Sequence, residues 1–475
     1  MSDLHELSAT EQLRALHDKE ISALDLTTHY LDRIERLDGT LGGFTTVTRD
    51  LALEEAARAD ARLTNGESAP LLGLPVAFKD YPTAGVRTTL GSAALANFVP
   101  ADDGWTIGLL RQAGAVHLGK TNTAEFGATC FTENEITGQR AVTPYDPTRY
   151  SSGSSGGAAT AVAAGLAPVA HAADGAGSTR TPAATCHLVG VKPSRGLVSP
   201  AAPSSSLAPT TIEGPITRNV ADAALLLDVM AQPWRGDPTG WRHDRSFAEA
   251  SKRSPGRPLQ VATWTATGLD GVDPHAHSIH AVERAAAALR DAGHEVREIA
   301  VPAPYSEPVR NALETWFAAM VHASIAPVIP PEQHHLLLPY TRLLYETGAT
   351  LSSTDTLMAQ AVLARFADAF LATLDDFDLT LTPTTSGPPA PIGHFLAYGV
   401  EGVADAMLAW SCYTPWANLT GQPAISLPSH LDESGLPYAV QLVGRPRGDG
   451  ELLAVAAQLE QAGLWSEIHP PCWDR

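Results

Sequence analysis

Residues 150–193 read Y-S-S-G-S-S-G-G-A-A-T-A-V-A-A-G-L-A-P-V-A-H-A-A-D-G-A-G-S-T-R-T-P-A-A-T-C-H-L-V-G-V-K-P, from Tyr150 to Pro193. Two clusters of small residues stand out, Gly153-Ser154-Ser155-Gly156-Gly157 and Gly175-Ala176-Gly177-Ser178. The run from Ala158 to Ala164 between them has high helix propensity, and Gly165 follows at a plausible C-cap position. Glycine lets the backbone take left-handed angles and lets another group approach closely. Serines beside such glycines sit exposed on tight loops with backbone N–H groups turned toward a ligand. That arrangement suits a nucleophile with an oxyanion hole, whose donors must face charge that develops in the transition state.

These residues resemble the amidase signature family. Its G-G-S-S-G-G cluster stands here as Ser152-Gly153-Ser154-Ser155-Gly156-Gly157. Its D-x-G-G-S-x-R-x-P-A segment stands as Asp174-Gly175-Ala176-Gly177-Ser178-Thr179-Arg180-Thr181-Pro182-Ala183, and its G-x-K-P close as Gly190-Val191-Lys192-Pro193. The upstream G-x-P-x-x-x-K-D is matched by Gly73-Leu74-Pro75-Val76-Ala77-Phe78-Lys79-Asp80. Two long patterns in the right order are far more specific than a lone glycine motif. Similarity continues at Thr121-Asn122-Thr123-Ala124-Glu125-Phe126, at Asp378 to Thr384 and at Ala417 to Ala424, so it spans nearly the full length.

The resemblance implies a single large α/β/α sandwich around a mixed, mostly parallel twisted sheet, with residues 1–475 forming one amidase domain. Length alone would allow two or three domains. It also implies an amidohydrolase that acts through an acyl-enzyme. Carried over residue by residue, Ser178 is the nucleophile, Ser154 the bridging serine on a cis peptide bond, and Lys79 the base. The amides of Gly175, Ala176, Gly177 and Ser178 form the implied oxyanion hole, with Ser155, Asp174 and Arg180 in support. Two positions depart from the family pattern. Ala176 stands where a glycine is usual, so its φ must suit a Cβ. Cys186-His187 replaces Cys-Gly, and His187 is read as a packed helix-end residue, with pocket lining as the alternative.

A lysine base must be neutral, although a free lysine titrates near 10.4. Leu74 to Phe78 reads as a buried strand, and burial at its end depresses the Lys79 pKa. Asp80 is the complication, but neighbouring side chains on a strand point to opposite faces. No residues show metal-ligand spacing, and neither a metal nor a cofactor is expected.

The 475 residues carry a net charge of −20, which disfavours nucleic acid and anionic membrane surfaces as partners. Cys130, Cys186, Cys412 and Cys472 lack disulfide-framework spacing, and the cytoplasm is the expected setting. Met1 to Lys19 lacks the apolar core of a signal peptide. The expected partner is a small-molecule amide, and a homodimer is compatible with the sequence.

Elsewhere, Leu7 to Leu37 reads as two amphipathic helices, the first with Ser8 and Glu11 at capping-box spacing. Leu259 to Val301 reads as a β-α-β unit. Residues 127–152 read as a polar loop. Residues 302–375 match nothing specific and are helical in period, with Trp316, Phe317, Tyr340 and Tyr345 among many apolar residues. They are either a variable cap that shapes substrate choice or ordinary core. Arg310, Arg342 and Arg365 are the only Arg or Lys there, so a neutral aryl or alkyl amide is expected over glutamine.

Two other chemistries compete. Gly153-Ser154-Ser155-Gly156-Gly157 fits the G-x-S-x-G elbow of α/β-hydrolases, with Ser155 as nucleophile, but residues 144–149 do not read as the required strand. Related chains also serve as the glutamine-hydrolysing subunit of tRNA-dependent amidotransferases. Ala176, His187 and the acidic charge weigh against that assignment.

Overall fold

The computed structural model describes residues 3–199 and 210–475. Thirteen strands are β1 Phe44–Val47, β2 Pro75–Lys79, β3 Val116–Thr121, β4 Val142–Thr143, β5 Asp146–Tyr150, β6 Val169–Asp174, β7 Val189–Lys192, β8 Ile212–Thr217, β9 Gln260–Thr263, β10 Glu295–Glu298, β11 Leu379–Pro383, β12 Ala424–Leu431 and β13 Pro437–Gly444. Eleven of them form one sheet in the order β1-β3-β2-β6-β8-β7-β12-β13-β11-β9-β10, and β4 pairs with β5 alone.

Side chains two apart on a strand share a face. Leu74, Val76 and Phe78 accordingly join one apolar cluster with the helices Val220–Met230, Ala276–Asp291 and Asp449–Gln461. Ala77 joins the cluster on the other face, with Ala23–Leu41, Arg49–Thr64 and Gly156–Ala163. With both faces covered, the strands read as near-continuous apolar runs. The layering is the expected α/β/α sandwich.

The expectation of a mostly parallel sheet needs correction. Parallel pairing is confined to β3-β2-β6 and β10-β9-β11. Every other neighbouring pair is antiparallel. For β12 and β13 the reason is a short connection: they are joined by five residues, 432–436, and a parallel pair needs a longer crossover.

The expected helices at the N-terminus are Ala9–His17 and Ala23–Leu41, and both halves of the Ser8–Glu11 capping box are formed. The β-α-β unit is β9, the helix Ala276–Asp291 and β10, with β9 and β10 parallel. The loop reading of residues 127–152 is wrong at its end, because β4 and β5 form a hairpin there. Asp146, Pro147, Thr148 and Arg149 are exposed or half-buried, so β5 is a surface ribbon outside the main sheet, not the buried strand of a hydrolase elbow.

Residues 302–375 contain the helices Glu307–Ile325, Pro339–Thr350 and Ser353–Thr373. Tyr305, Trp316, Tyr340 and Phe366 are buried in apolar clusters, whereas Phe317 and Tyr345 are half-buried. Among the described residues no helix is long and apolar enough to cross a membrane.

Candidate active site

Parallel pairing aligns Ala77 with Ala170 and Phe78 with His171, so β2 and β6 end at the same edge of the sheet. Lys79 is the last residue of β2 and Asp174 the last of β6. Ligand sites gather at such strand ends in open α/β sheets. The Lys79 side chain is 1% exposed. Its Nζ lies 2.7 Å from Ser154 Oγ, 2.9 Å from Ser155 Oγ and 3.4 Å from Ala173 O. Burial lowers its pKa to about 7, against the opposing pull of the Asp174 and Glu213 carboxylates.

Asp80 takes no part in that shift. Its carboxylate accepts from Thr89 N at 3.0 Å, from the Thr89 hydroxyl, and from Thr45 Oγ1 at 3.4 Å. The strand alternation thus separates Asp80 from Lys79 as expected.

The first serine cluster forms the turn into the helix Gly156–Ala163. The Gly153–Ser154 peptide bond is cis, and Ser154 and Ser155 are both buried. Ser155 Oγ also lies 3.2 Å from Ala173 O and accepts from Ala173 N at 3.3 Å, which ties this turn to β6. The second cluster lies between β6 and the helix Arg180–Thr185. Ser155 N donates to Ser178 O at 3.3 Å, so the two serine loops touch. Ser178 itself is half-buried, more open than Lys79 or Ser154.

Not all four amides of this loop are available to a ligand. Gly177 N donates to Asp174 Oδ1 at 2.7 Å. Among the described residues, the amides of Gly175, Ala176 and Ser178 make no hydrogen bond. The set of four expected from sequence is reduced to three, because the Asp174 carboxylate turns back onto its own loop. Ala176 lies outside the left-handed region, whereas Gly177 has φ 133°. A Cβ on Gly177 would also lie 2.3 Å from Thr414 Oγ1. The family's replaced glycine is therefore the dispensable one.

Asp174 and Arg180 do pair. Arg180 Nη2 donates to Asp174 Oδ1 at 2.8 Å and Nε to Oδ2 at 2.9 Å, with both side chains fully buried. Burial alone would raise the carboxyl pKa, but the Arg180 guanidinium, the Asn418 hydrogen bond and the Lys192 charge together hold Asp174 well below the usual carboxylate range. Arg180 also donates to Thr414 O at 3.0 Å, Gln441 Oε1 at 2.5 Å and Asn418 Oδ1 at 2.5 Å. Asn418 Nδ2 reaches Asp174 O and Oδ1 at 3.0 and 2.9 Å. The sequence pattern covers the stretch that holds Asn418 but gives neither Asn418 nor Gln441 a role.

Lys120 is a further buried lysine that sequence reasoning passes over. It donates to Tyr81 O and the Thr83 hydroxyl, next to the Asp80 carboxylate. His187 packs at a helix end, as expected, with φ 54° and its Nε2 3.0 Å from Ser466 O. Burial lowers its pKa to about 4. Among the described residues no three His, Cys, Asp or Glu side chains group so as to hold a metal ion.

A buried lysine against two serines, beside a serine-bearing loop with open amides, can relay a proton and stabilise an oxyanion. Comparison with known proteins points the same way. The family model described as Amidase matches residues 25–453. The putative amidase AmiB2 of Mycobacterium tuberculosis is 38% identical, over 99% of each chain. A glutamyl-tRNA(Gln) amidotransferase subunit of Desulforapulum autotrophicum is 34% identical, over 97% of this chain and 98% of its own. Among solved structures, 6-aminohexanoate cyclic dimer hydrolase complexed with substrate superposes with a TM-score of 0.91 at 28% identity, over 99% of this chain and 100% of the other. A bacterial aryl acylamidase of the amidase signature family gives 0.89 at 27%, over 100% and 99%. With a matching family model along nearly the whole chain and the same fold as its solved members, this protein belongs to the amidase signature family and is an amidohydrolase.

Proposed function

We propose that the protein hydrolyses the C–N bond of a small neutral carboxylic amide, aryl or alkyl, through an acyl-enzyme on Ser178, with esters and carbamates within reach of the same chemistry. The observation that carries this reading is the buried Lys79 amine, poised near neutrality and 2.7 Å from Ser154 Oγ. Neutral Lys79 takes the Ser154 proton as Ser154 takes that of Ser178, and Ser178 Oγ attacks the carbonyl carbon. The amides of Gly175, Ala176 and Ser178 receive the oxyanion. The proton then returns through Ser154 to the leaving nitrogen, the C–N bond breaks and the amine departs. Water, deprotonated by the same relay, attacks the acyl carbon, the bond to Ser178 Oγ breaks, the relay returns the proton to Ser178 Oγ, and the acid is released. Asp174 and Arg180 hold the loop, and Ser155 fixes the lysine. No cofactor or metal enters this scheme.

Residues 302–375 are proposed as the region that shapes substrate choice. Arg342 and Arg365 are exposed and Arg310 is half-buried, and a carboxylate-bearing substrate would need a paired cation once desolvated. A substrate mouth shaped by this region accordingly favours hydrocarbon, at about 25 cal/mol per Å² removed from water. Four free cysteines support a reducing, cytoplasmic setting. An anilide is expected to show a higher kcat/KM than glutamine. A preference for glutamine, with copurification of a partner protein, would transfer the assignment to the reading that the amidotransferase relatives support.

The lysine fixes the pH dependence. Its pKa in the folded enzyme is lowered to about 7, and only the neutral form accepts a proton. Log kcat/KM should therefore rise with pH, bend near 7 and reach a plateau in the alkaline range. A profile flat from about pH 5 to 9 would remove Lys79 from the relay.

A further inference from the structure

The peptide that joins Ala176 to Gly177 is gripped at both ends. Its N–H donates to Asp174 Oδ1 at 2.7 Å, and its C=O accepts from Thr414 Oγ1 at 2.6 Å. Thr414 comes from a distant part of the chain, immediately before the helix Pro415–Thr420. A hydroxyl has one proton to give. Two carbonyls lie within reach, Ala176 O at 2.6 Å and Ser411 O at 3.0 Å, and the shorter contact takes it.

Thr414 is itself held rigidly. It is fully buried, its N–H donates to Ser411 O at 3.1 Å, and its own carbonyl accepts from Arg180 Nη1 at 3.0 Å. Its hydroxyl also occupies the space a side chain on residue 177 would need. A planar peptide held at both its N–H and its C=O cannot turn. Its orientation couples ψ of Ala176 to φ of Gly177, two of the four torsions that set the angle between the amides on either side, those of Ala176 and Ser178. Neither of those amides has an acceptor among the described residues.

We propose that Thr414 is a positioning residue for acyl transfer, whose hydroxyl locks the 176–177 peptide so that the Ala176 and Ser178 amides stay aimed at the developing oxyanion. This rests on the reading of Ser178 as nucleophile. Interactions made only in the transition state lower kcat and leave KM nearly unchanged when removed. Loss of one oxyanion donor costs on the order of 100- to 1,000-fold in kcat, and misaiming costs less than deletion.

Thr414→Val keeps the volume and removes the hydroxyl. Its kcat on an anilide should fall about 10- to 100-fold with KM within about threefold of wild type. Affinity for an aryl boronic acid, which forms a tetrahedral adduct on a serine, should fall by a similar factor, while a planar product acid binds as before. Thr414→Ser should restore most of the kcat. Thr414→Ala gives the same comparison should the valine variant fail to fold. A kcat unchanged in the variant that lacks the hydroxyl overturns the proposal, as does equal damage in Thr414→Ser. Labelling of wild type with a sulfonyl fluoride separates the two readings: label away from Ser178 refutes the nucleophile assignment, whereas label on Ser178 with an unchanged kcat in Thr414→Val refutes only the role of Thr414.

Discussion

Ser178→Ala is expected to abolish turnover, with kcat reduced on the order of 10⁴-fold or more, and to abolish covalent labelling by a sulfonyl fluoride or fluorophosphonate. Lys79→Ala should be nearly as damaging, because a nucleophile and its base act as one unit. The geometry behind this is Lys79 Nζ 2.7 Å from Ser154 Oγ, with the two serine loops held together by the main-chain bond from Ser155 N to Ser178 O. Peptide mapping of the labelled wild-type enzyme checks the assignment. A label on Ser155 would instead revive the hydrolase elbow, for which β5 offers only a surface ribbon.

Arg180→Ala should be the most destabilising of the single substitutions considered. Removal of one partner from a buried ion pair typically costs about 3–5 kcal/mol, because the other charge stays buried without compensation. Here Asp174 would lose two charge-assisted bonds, and Thr414 O, Gln441 Oε1 and Asn418 Oδ1 would each lose a donor. Urea denaturation of the variant should show a lowered midpoint, and Asp174→Asn added on top should recover part of the loss. A drop below about 1 kcal/mol, the range of an exposed pair, would mean that the guanidinium is not what holds the loop. The depressed Asp174 pKa also carries a sign: the stability it confers is present above the ordinary carboxylate range and is lost as the pH falls through the folded value.

What the sequence disclosed was local. The Ser8 cap, the β9-helix-β10 unit and the position of Lys79 at a strand end all follow from spacing and periodicity within a few residues. The β4-β5 hairpin escaped because Pro144 and Pro147 break the alternation and β4 is two residues long. Strand direction escaped for another reason: a strand covered on both faces reads the same whether its neighbour runs parallel or antiparallel. The aromatic residues of 302–375 fitted a cap and a core equally well, and only packing placed Trp316, Tyr340 and Phe366 inside. The proposed reacting groups were named through motif order, whereas the side chains that grip their loop were not. Thr414, Asn418 and Gln441 lie hundreds of residues from the loop they hold, and no local pattern links them to it.

That distance bears on how the enzyme comes into being. Arg180 and Gln441 are 261 residues apart, and at roughly 5–20 residues per second a ribosome needs on the order of 13–50 s to make the intervening chain. For most of that time the residues of the serine loops have been made, but Thr414, Asn418 and Gln441, which hold them in the folded chain, have not. The nascent N-terminal portion therefore carries all three side chains of the proposed relay, Lys79, Ser154 and Ser178, before the anchors of their loop are made. Activity is therefore expected only after the β12-β13 hairpin has been made, and a chain terminated before Gln441 is expected to be inactive in an amide-hydrolysis assay.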